Sequence, residues 1–157
     1  MIKIGVALAI PSLDKLLKKH RNKYNKYNNI EPHMTVYHSD FKGYNLKKLE
    51  KLVEKIKNHS KKIVINKLVK RKKFIYLNVE NWYDYSKLRK EITSVFGKEE
   101  AKPCFHITIG YNVSNSEFKE IQEDINPHLP ITIEAKEFVI VIMDFASGKM
   151  ESKKYCV

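Results

Sequence analysis

Cysteine is nearly absent from this 157-residue chain: Cys104 and Cys156 are too few for a disulfide framework and are not spaced as zinc ligands. Both are expected as plain thiols in a reducing compartment. Five glycines and five prolines leave no room for collagen-like or low-complexity repeats. No apolar run approaches the roughly 18 residues that a membrane span requires. The stretch Met1–Ile10 carries one charge and no small-x-small cleavage pattern, so it reads as a strand and not as a signal peptide. A soluble, cytoplasmic protein is the expectation. Arginine is scarce as well: of 30 basic residues only Arg21, Arg71 and Arg89 are arginine.

The chain nevertheless has what a core needs, with 43% hydrophobic and 11% aromatic residues, and its length suits a single domain over 1–157. Thirty basic against 18 acidic residues leave a formal charge of +12. Lysine, asparagine, isoleucine and tyrosine are abundant, as an AT-rich coding sequence would produce. The charge therefore fits either a solvated lysine surface or a field that attracts polyanions such as nucleotides.

Hydrophobic periodicity predicts alternating strands and helices. Ile2, Ile4, Val6, Leu8 and Ile10 alternate with Gly5, Ala7 and Ala9, as in a strand. Ser12 is expected to cap a helix through Leu13, Leu16, Leu17 and His20, fraying over 22–29. His33–Ser39 reads as a strand and 40–45 as a turn. Leu46 to Ile56 carries an amphipathic stripe. Lys62–Val69 and Phe74–Glu80 read as strands joined by the basic turn Lys70–Lys73. A helix is expected over Tyr85–Phe96, ended by Gly97, then a strand over Phe105–Asn112. Ser116 is expected to cap a helix through Ile125. Strands at Ile131–Glu134 and Phe138–Asp144, a turn at Ser147-Gly148 and a last strand near Tyr155 complete an α+β chain.

Two segments resemble each other: His33-Met34-Thr35-Val36 and His106-Ile107-Thr108-Ile109, each following a proline, Pro32 or Pro103. Period-two alternation sends His33, Thr35 and Tyr37 to one face and Met34, Val36 and His38 to the other. His106 and Thr108 likewise oppose Ile107 and Ile109. If the apolar sets lie under the helices, both His-Thr pairs reach the open face. Phe74, Tyr76 and Asn78 join them there, over a floor of Gly5, Ala7 and Ala9. Aromatic rings beside histidines suit nucleotides, because every base has a stacking face.

Paired His-x-Thr-x strands about seventy residues apart, in a chain of this size, resemble the 2H phosphoesterase superfamily. That superfamily includes RNA ligase-like 2′,3′-cyclic phosphodiesterases and viral enzymes that destroy 2′,5′-oligoadenylate or cyclic-nucleotide signals. The resemblance runs from the opening strand to the terminal hairpin. It implies a bilobal α+β fold, with antiparallel sheets lining a central groove and helices on the outer faces. It also implies His33 and His106 as acid and base, with Thr35 and Thr108 holding the phosphoryl oxygens. No metal or other cofactor is expected. Gly110-Tyr111-Asn112 departs from the family in offering no basic residue after the second motif.

Other residues are assigned by position. Tyr37, Tyr76 and Trp82 are candidates for base stacking. His38 is expected on the core side, and His20, His59 and His128 in solvent. The turn Lys70–Lys73 is read as a solubility feature. Cys104, near His106, is a weaker candidate nucleophile, since it would leave the first motif unexplained. The leading expectation is a metal-independent phosphodiesterase for 2′,5′-oligoadenylate or a cyclic dinucleotide such as cGAMP, possessing two-histidine chemistry and serving to counter host nucleotide signalling. Alternatives are a 2′,3′-cyclic phosphodiesterase of RNA-end processing and a non-catalytic basic RNA-binding domain. The expected partner is a small nucleotide or oligonucleotide, with no membrane, no obligate protein partner and a monomeric chain.

Overall fold

A computed structural model describes residues 2–26, 30–41, 46–97, 105–144 and 151–157. Strand β1 (Ile2–Ala9) passes through a 3₁₀ turn at Pro11–Leu13 into α1 (Asp14–Tyr24) and β2 (His33–Phe41). Then come α2 (Leu46–Ile56), the hairpin β3 (Lys62–Arg71) and β4 (Phe74–Val79), α3 (Trp82–Phe96) and β5 (His106–Gly110). Helix α4 (Asn115–Ile125), a second 3₁₀ turn, β6 (Ile131–Glu134), β7 (Glu137–Asp144) and β8 (Glu151–Cys156) follow. No helix among the described residues is long and apolar enough to cross a membrane.

All eight strands pair antiparallel in one curled sheet of order β6-β3-β4-β5-β2-β1-β7-β8. The two expected sheets are thus two halves of one, joined where β2 meets β5 through Met34 and Ile107. Ile4, Val6 and Leu8 of β1 with Met34, Val36, Ile75, Leu77, Ile107 and Ile109 form one buried layer. One helix from each half covers the other half's motif strand: α1 packs on β5, and α3 on β2.

Strict alternation fails at one place in each motif strand. The β1–β2 register shifts between Val6 and Ala7, which face Tyr37 and Thr35, so Val36 is an extra residue. The β4–β5 register shifts between Ile75 and Tyr76, which face Gly110 and Thr108, so Ile109 is extra. Both motif strands therefore bulge directly after their threonine, and a bulge bends the strand and reverses the parity beyond it. Tyr37 and His38 consequently exchange the expected faces. Tyr37 is fully buried, its hydroxyl donating to the Gly97 carbonyl at 3.0 Å and its ring against Phe96, whereas His38 is exposed. The sequence carried a trace of this: Val36-Tyr37 places two apolar residues in succession where alternation calls for one.

Gly110 sits at the corresponding point of the second half, where the end of α1 presses on the strand. A Cβ there would overlap the Tyr24 Cβ and lie 2.9 Å from the Tyr24 backbone carbonyl carbon and oxygen. The Tyr111 N–H donates to that same carbonyl at 2.9 Å, so the approach is fixed by a hydrogen bond.

Helix starts differ from expectation in three cases. Helix α1 begins at Asp14 after the 3₁₀ turn, and Ser12 makes no capping bond, because Pro11 starts the turn one step earlier. Helix α3 begins at Trp82, not Tyr85. The cap of α4 is Ser114, not Ser116: Ser114 and Glu117 form a reciprocal capping box, the arrangement that S-x-x-E encodes. His20, expected in solvent, is 4% exposed and sits between α1 and α4, its Nε2 2.9 Å from Asp124 Oδ2. His59 is half-buried against Tyr85 and Phe138, while His128 is exposed. Strand β2 extends past Ser39 into the expected turn at 40–45, of which 42–45 lie outside the described residues, as do 27–29, Pro103, Cys104 and the Ser147-Gly148 turn.

Three outcomes follow from this packing. Gly110→Ala should destabilise by about 2 kcal/mol, since the obstacle is backbone and not a movable side-chain tip; Gly5→Ala, whose Cβ would make only ordinary contacts, with the His38 ring at 3.9 Å and the Tyr37 carbonyl oxygen at 4.0 Å, should stay within about 0.5 kcal/mol. Tyr37→Phe should cost about 1 kcal/mol in urea unfolding by removing the hydrogen bond from its hydroxyl to the Gly97 carbonyl; an unchanged midpoint would show that this bond does not stabilise the fold. The Ser114 backbone and hydroxyl hydrogen bonds hold the Glu117 carboxyl below its ordinary range. That stabilisation is present at neutral pH and is lost as pH falls through the lowered value, so Glu117→Gln should flatten the acid limb of a stability-against-pH curve.

Candidate active site

The register Met34 opposite Ile107, carried one residue either way, sets His33 across from Thr108 and Thr35 across from His106. The four side chains share the face opposite the buried layer, and all four are half-exposed. On the outer flanks the neighbours are Ala9 beside His33 and Ala7 beside Thr35, and Tyr76 beside Thr108 and Asn78 beside His106. The floor is thus small on the β1 side and aromatic on the β4 side. Each histidine faces the other motif's threonine, so the two motifs are related by a local pseudo-twofold axis through the Met34–Ile107 pair.

The His33 Nδ1 lies 2.8 Å from the Glu31 carbonyl oxygen. A carbonyl only accepts, so Nδ1 carries the hydrogen, and a neutral His33 holds its lone pair on Nε2. The approach to His33 is anchored by Arg21, a residue that sequence reasoning passed over. Arg21 is 3% exposed on α1, and its Nη2 donates to the Ile30 carbonyl at 2.6 Å. Burial lowers the Arg21 pKa, partly offset by Asp14, so this cation is held at a desolvation cost.

The His106 ring packs against two aromatic rings, Phe74 edge-on at 5.2 Å and Tyr76 tilted at 5.1 Å. Phe74 in turn stacks on Tyr76 at 5.1 Å and on Tyr111 at 5.2 Å. Such pairs fix ring orientation beyond what area burial alone does. Tyr111 follows the β5 bulge and was not singled out in the sequence; the aromatic pair Phe74 and Tyr76 at alternate positions was its only companion signal.

On the other side of Tyr76 a groove of about 270 Å³ opens between the β4–β5 strands and α3, lined by Tyr76, Asn78, Val79, Trp82, Ser86, Arg89 and Phe105. Trp82 stands in the first turn of α3 and is 50% exposed. The Arg89 guanidinium lies 6.0 Å from the Phe105 ring centroid. The volume suits one planar heterocycle, with aromatic surfaces, a cation and the Asn78 amide around it. Of the three expected stacking residues, Tyr76 and Trp82 thus line this groove beside His106. Tyr37 does not; it is under α3. Among the described residues, no three His, Cys, Asp or Glu side chains gather as metal ligands do.

Two histidines and two threonines thus share one face of the sheet, beside a ring-sized groove. Structures similar to this chain include a phosphoesterase, with a TM-score of 0.58 and 11% identity over 100% of this chain and 99% of that one. Escherichia coli LigT complexed with 3′-AMP gives a TM-score of 0.56 and 12% identity over 99% and 97% of the two chains. LigT complexed with ATP gives 0.56 and 13% over the same shares. A search of curated proteins finds no significant match in sequence. The family model of the 2′-5′ RNA ligase superfamily, however, matches residues 7–144, through both histidine motifs and the strands that carry them, and the chain belongs to that superfamily of 2H phosphoesterases.

Proposed function

We propose that this protein is a metal-independent phosphodiesterase that cleaves small 2′,5′-linked or cyclic oligonucleotides. The observation that carries the reading is the antiparallel pairing of Met34 with Ile107 across the β2–β5 seam, a register that sets His33 toward Thr108 and His106 toward Thr35. A phosphodiester seated over that seam has a histidine on each side of phosphorus. The histidine nearer a free ribose hydroxyl takes its proton, and that oxygen attacks. The opposite histidine protonates the leaving oxygen, so the direction in which the substrate lies sets the roles. With a 2′–5′ linkage the neighbouring 3′-hydroxyl is the nucleophile, and a 2′,3′-cyclic phosphate is the product.

Histidine serves at both positions because it can be neutral or protonated near neutral pH. The Glu31 carbonyl supports this by keeping one His33 nitrogen protonated, leaving the other for exchange. The Thr35 and Thr108 hydroxyls donate to the non-bridging oxygens as charge accumulates on them. The groove at Trp82 and Tyr76 takes a base adjoining the scissile phosphate. That LigT has been captured with 3′-AMP and ATP supports a nucleotide ligand, and the superfamily's 2′-5′ chemistry supports the linkage. Cleavage of a linear or cyclic alarm nucleotide is the role such an enzyme would fill in a cell.

The test is product analysis in EDTA with 2′,5′-oligoadenylate, a 2′–5′-containing cyclic dinucleotide and a nucleoside 2′,3′-cyclic phosphate. Cleavage of one of the first two is expected, with a bell-shaped pH–rate profile. His33→Ala and His106→Ala should each lower kcat by about 10³-fold or more, and Thr35→Val or Thr108→Val by about 10²-fold, with folding retained. Turnover of the cyclic phosphate alone would reassign the protein to RNA-end processing. Near-normal turnover in either histidine variant would rule out the two-histidine mechanism.

A further inference from the structure

The β3–β4 hairpin tip carries four consecutive basic residues, Lys70-Arg71-Lys72-Lys73, and the fold brings it to the far edge of the aromatic cluster. The Lys73 carbonyl accepts from the Val113 N–H at 3.1 Å, which ties the tip to the segment after the second motif. Cations missing from Gly110-Tyr111-Asn112 in sequence are thereby supplied in space. Lys70 is engaged with Asn115 at 2.6 Å, but Arg71, Lys72 and Lys73 are exposed, and no carboxylate among the described residues pairs with them. An exposed run of like charge beside an exposed ring is a surface made for a polyanion with flat groups. Tyr111 is 43% exposed, and its inner side is already stacked on Phe74.

The turn itself adds an independent observation. Arg71 pairs with Phe74, so Lys72 and Lys73 form a two-residue connection, and Lys72 has φ 57°. That conformation favours glycine or asparagine in such turns, and a lysine there is strained. A turn shaped for folding alone would place glycine at this point.

We infer that the hairpin tip and Tyr111 form a second binding surface, continuous with the His33–His106 face, for the backbone and a further base of a single-stranded oligonucleotide. The substrate is then a linear chain of several nucleotides, with one base in the Trp82 groove, the scissile phosphate over the seam, and the following nucleotides running across Tyr76, Phe74 and Tyr111 to the lysines. A closed cyclic dinucleotide has no strand to extend there. This inference rests on the functional reading above for the seam, but the surface can be measured without turnover.

The probe is fluorescein-labelled 2′,5′-linked hexaadenylate with 3′-O-methyl riboses, which lacks the neighbouring free hydroxyl and is not cut, followed by fluorescence anisotropy at 50 to 200 mM salt. The triple substitution Arg71→Gln, Lys72→Gly, Lys73→Gln should raise Kd about tenfold or more at low salt. It should also reduce the slope of log affinity against log salt by about 2, as three lost phosphate contacts on a single strand require. Tyr111→Ala should raise Kd about 5- to 100-fold with the slope unchanged. Lys72→Gly alone should weaken binding while its Tm stays at or above that of the parent, which separates binding from folding. Unchanged affinity in the triple variant or in Tyr111→Ala overturns the inference. So does competition by anionic lipid vesicles as effective as that by unlabelled oligonucleotide, or failure to bind the probe at all. Loss of the cleavage activity with these binding effects intact would reject the catalytic reading and leave the surface standing.

Discussion

Pairing Met34 of β2 with Ile107 of β5 is what turns two half-sheets into one concave face, and the candidate chemistry depends on it. Both side chains are fully buried, each contributing about 2–3 kcal/mol of apolar burial. Because the strands run antiparallel, a histidine from one half stands opposite a threonine from the other. A slip of one residue would send one motif's polar pair into the apolar layer. The register is therefore held by the same burial that supports the fold.

The seam is narrow, and the helices reinforce it. Helix α1 presses on β5 so closely that only glycine fits at 110, and α3 holds β2 through the buried Tyr37 and its bond to Gly97. Each half clamps the other's motif strand, so neither histidine is positioned by its own half alone. The bulges after Thr35 and Thr108 supply the remaining element. They curl the strands and turn the residues beyond each motif inward, so that Tyr37 and Gly110 meet helices while the histidines stay on the open face.

Charge is distributed with the same division of labour. Most lysines are solvated and carry little structural energy, as exposed ion pairs do. Arg21 differs: a buried guanidinium bonded to the Ile30 carbonyl fixes the backbone that leads to His33. Asp124 joins Lys19 and the buried His20 at the α1–α4 junction, its carboxyl held below the ordinary range chiefly by the Lys19 hydrogen bond and also by His20. Polar groups inside this fold thus serve orientation, and their placement follows the elements that they join.

The sequence by itself determined the strands, the four helices, the apolar layer and the two His-x-Thr pairs, because these rest on local periodicity and on residue types that few other roles require. Period two was enough to send His33, Thr35, His106 and Thr108 to one side of the buried residues. It was not enough beyond Thr35, where a bulge that depends on the partner strand reversed Tyr37 and His38. Helix caps were displaced by a proline at 11 and by a better hydrogen-bonding geometry at Ser114. Only the tertiary structure decided that His33 faces Thr108 and not Thr35's own neighbour, that His20 is buried, and that a basic turn lies beside Tyr111. Each of these is a contact between residues far apart in the chain, and side-chain periodicity along one strand holds no information about which strand will lie next to it.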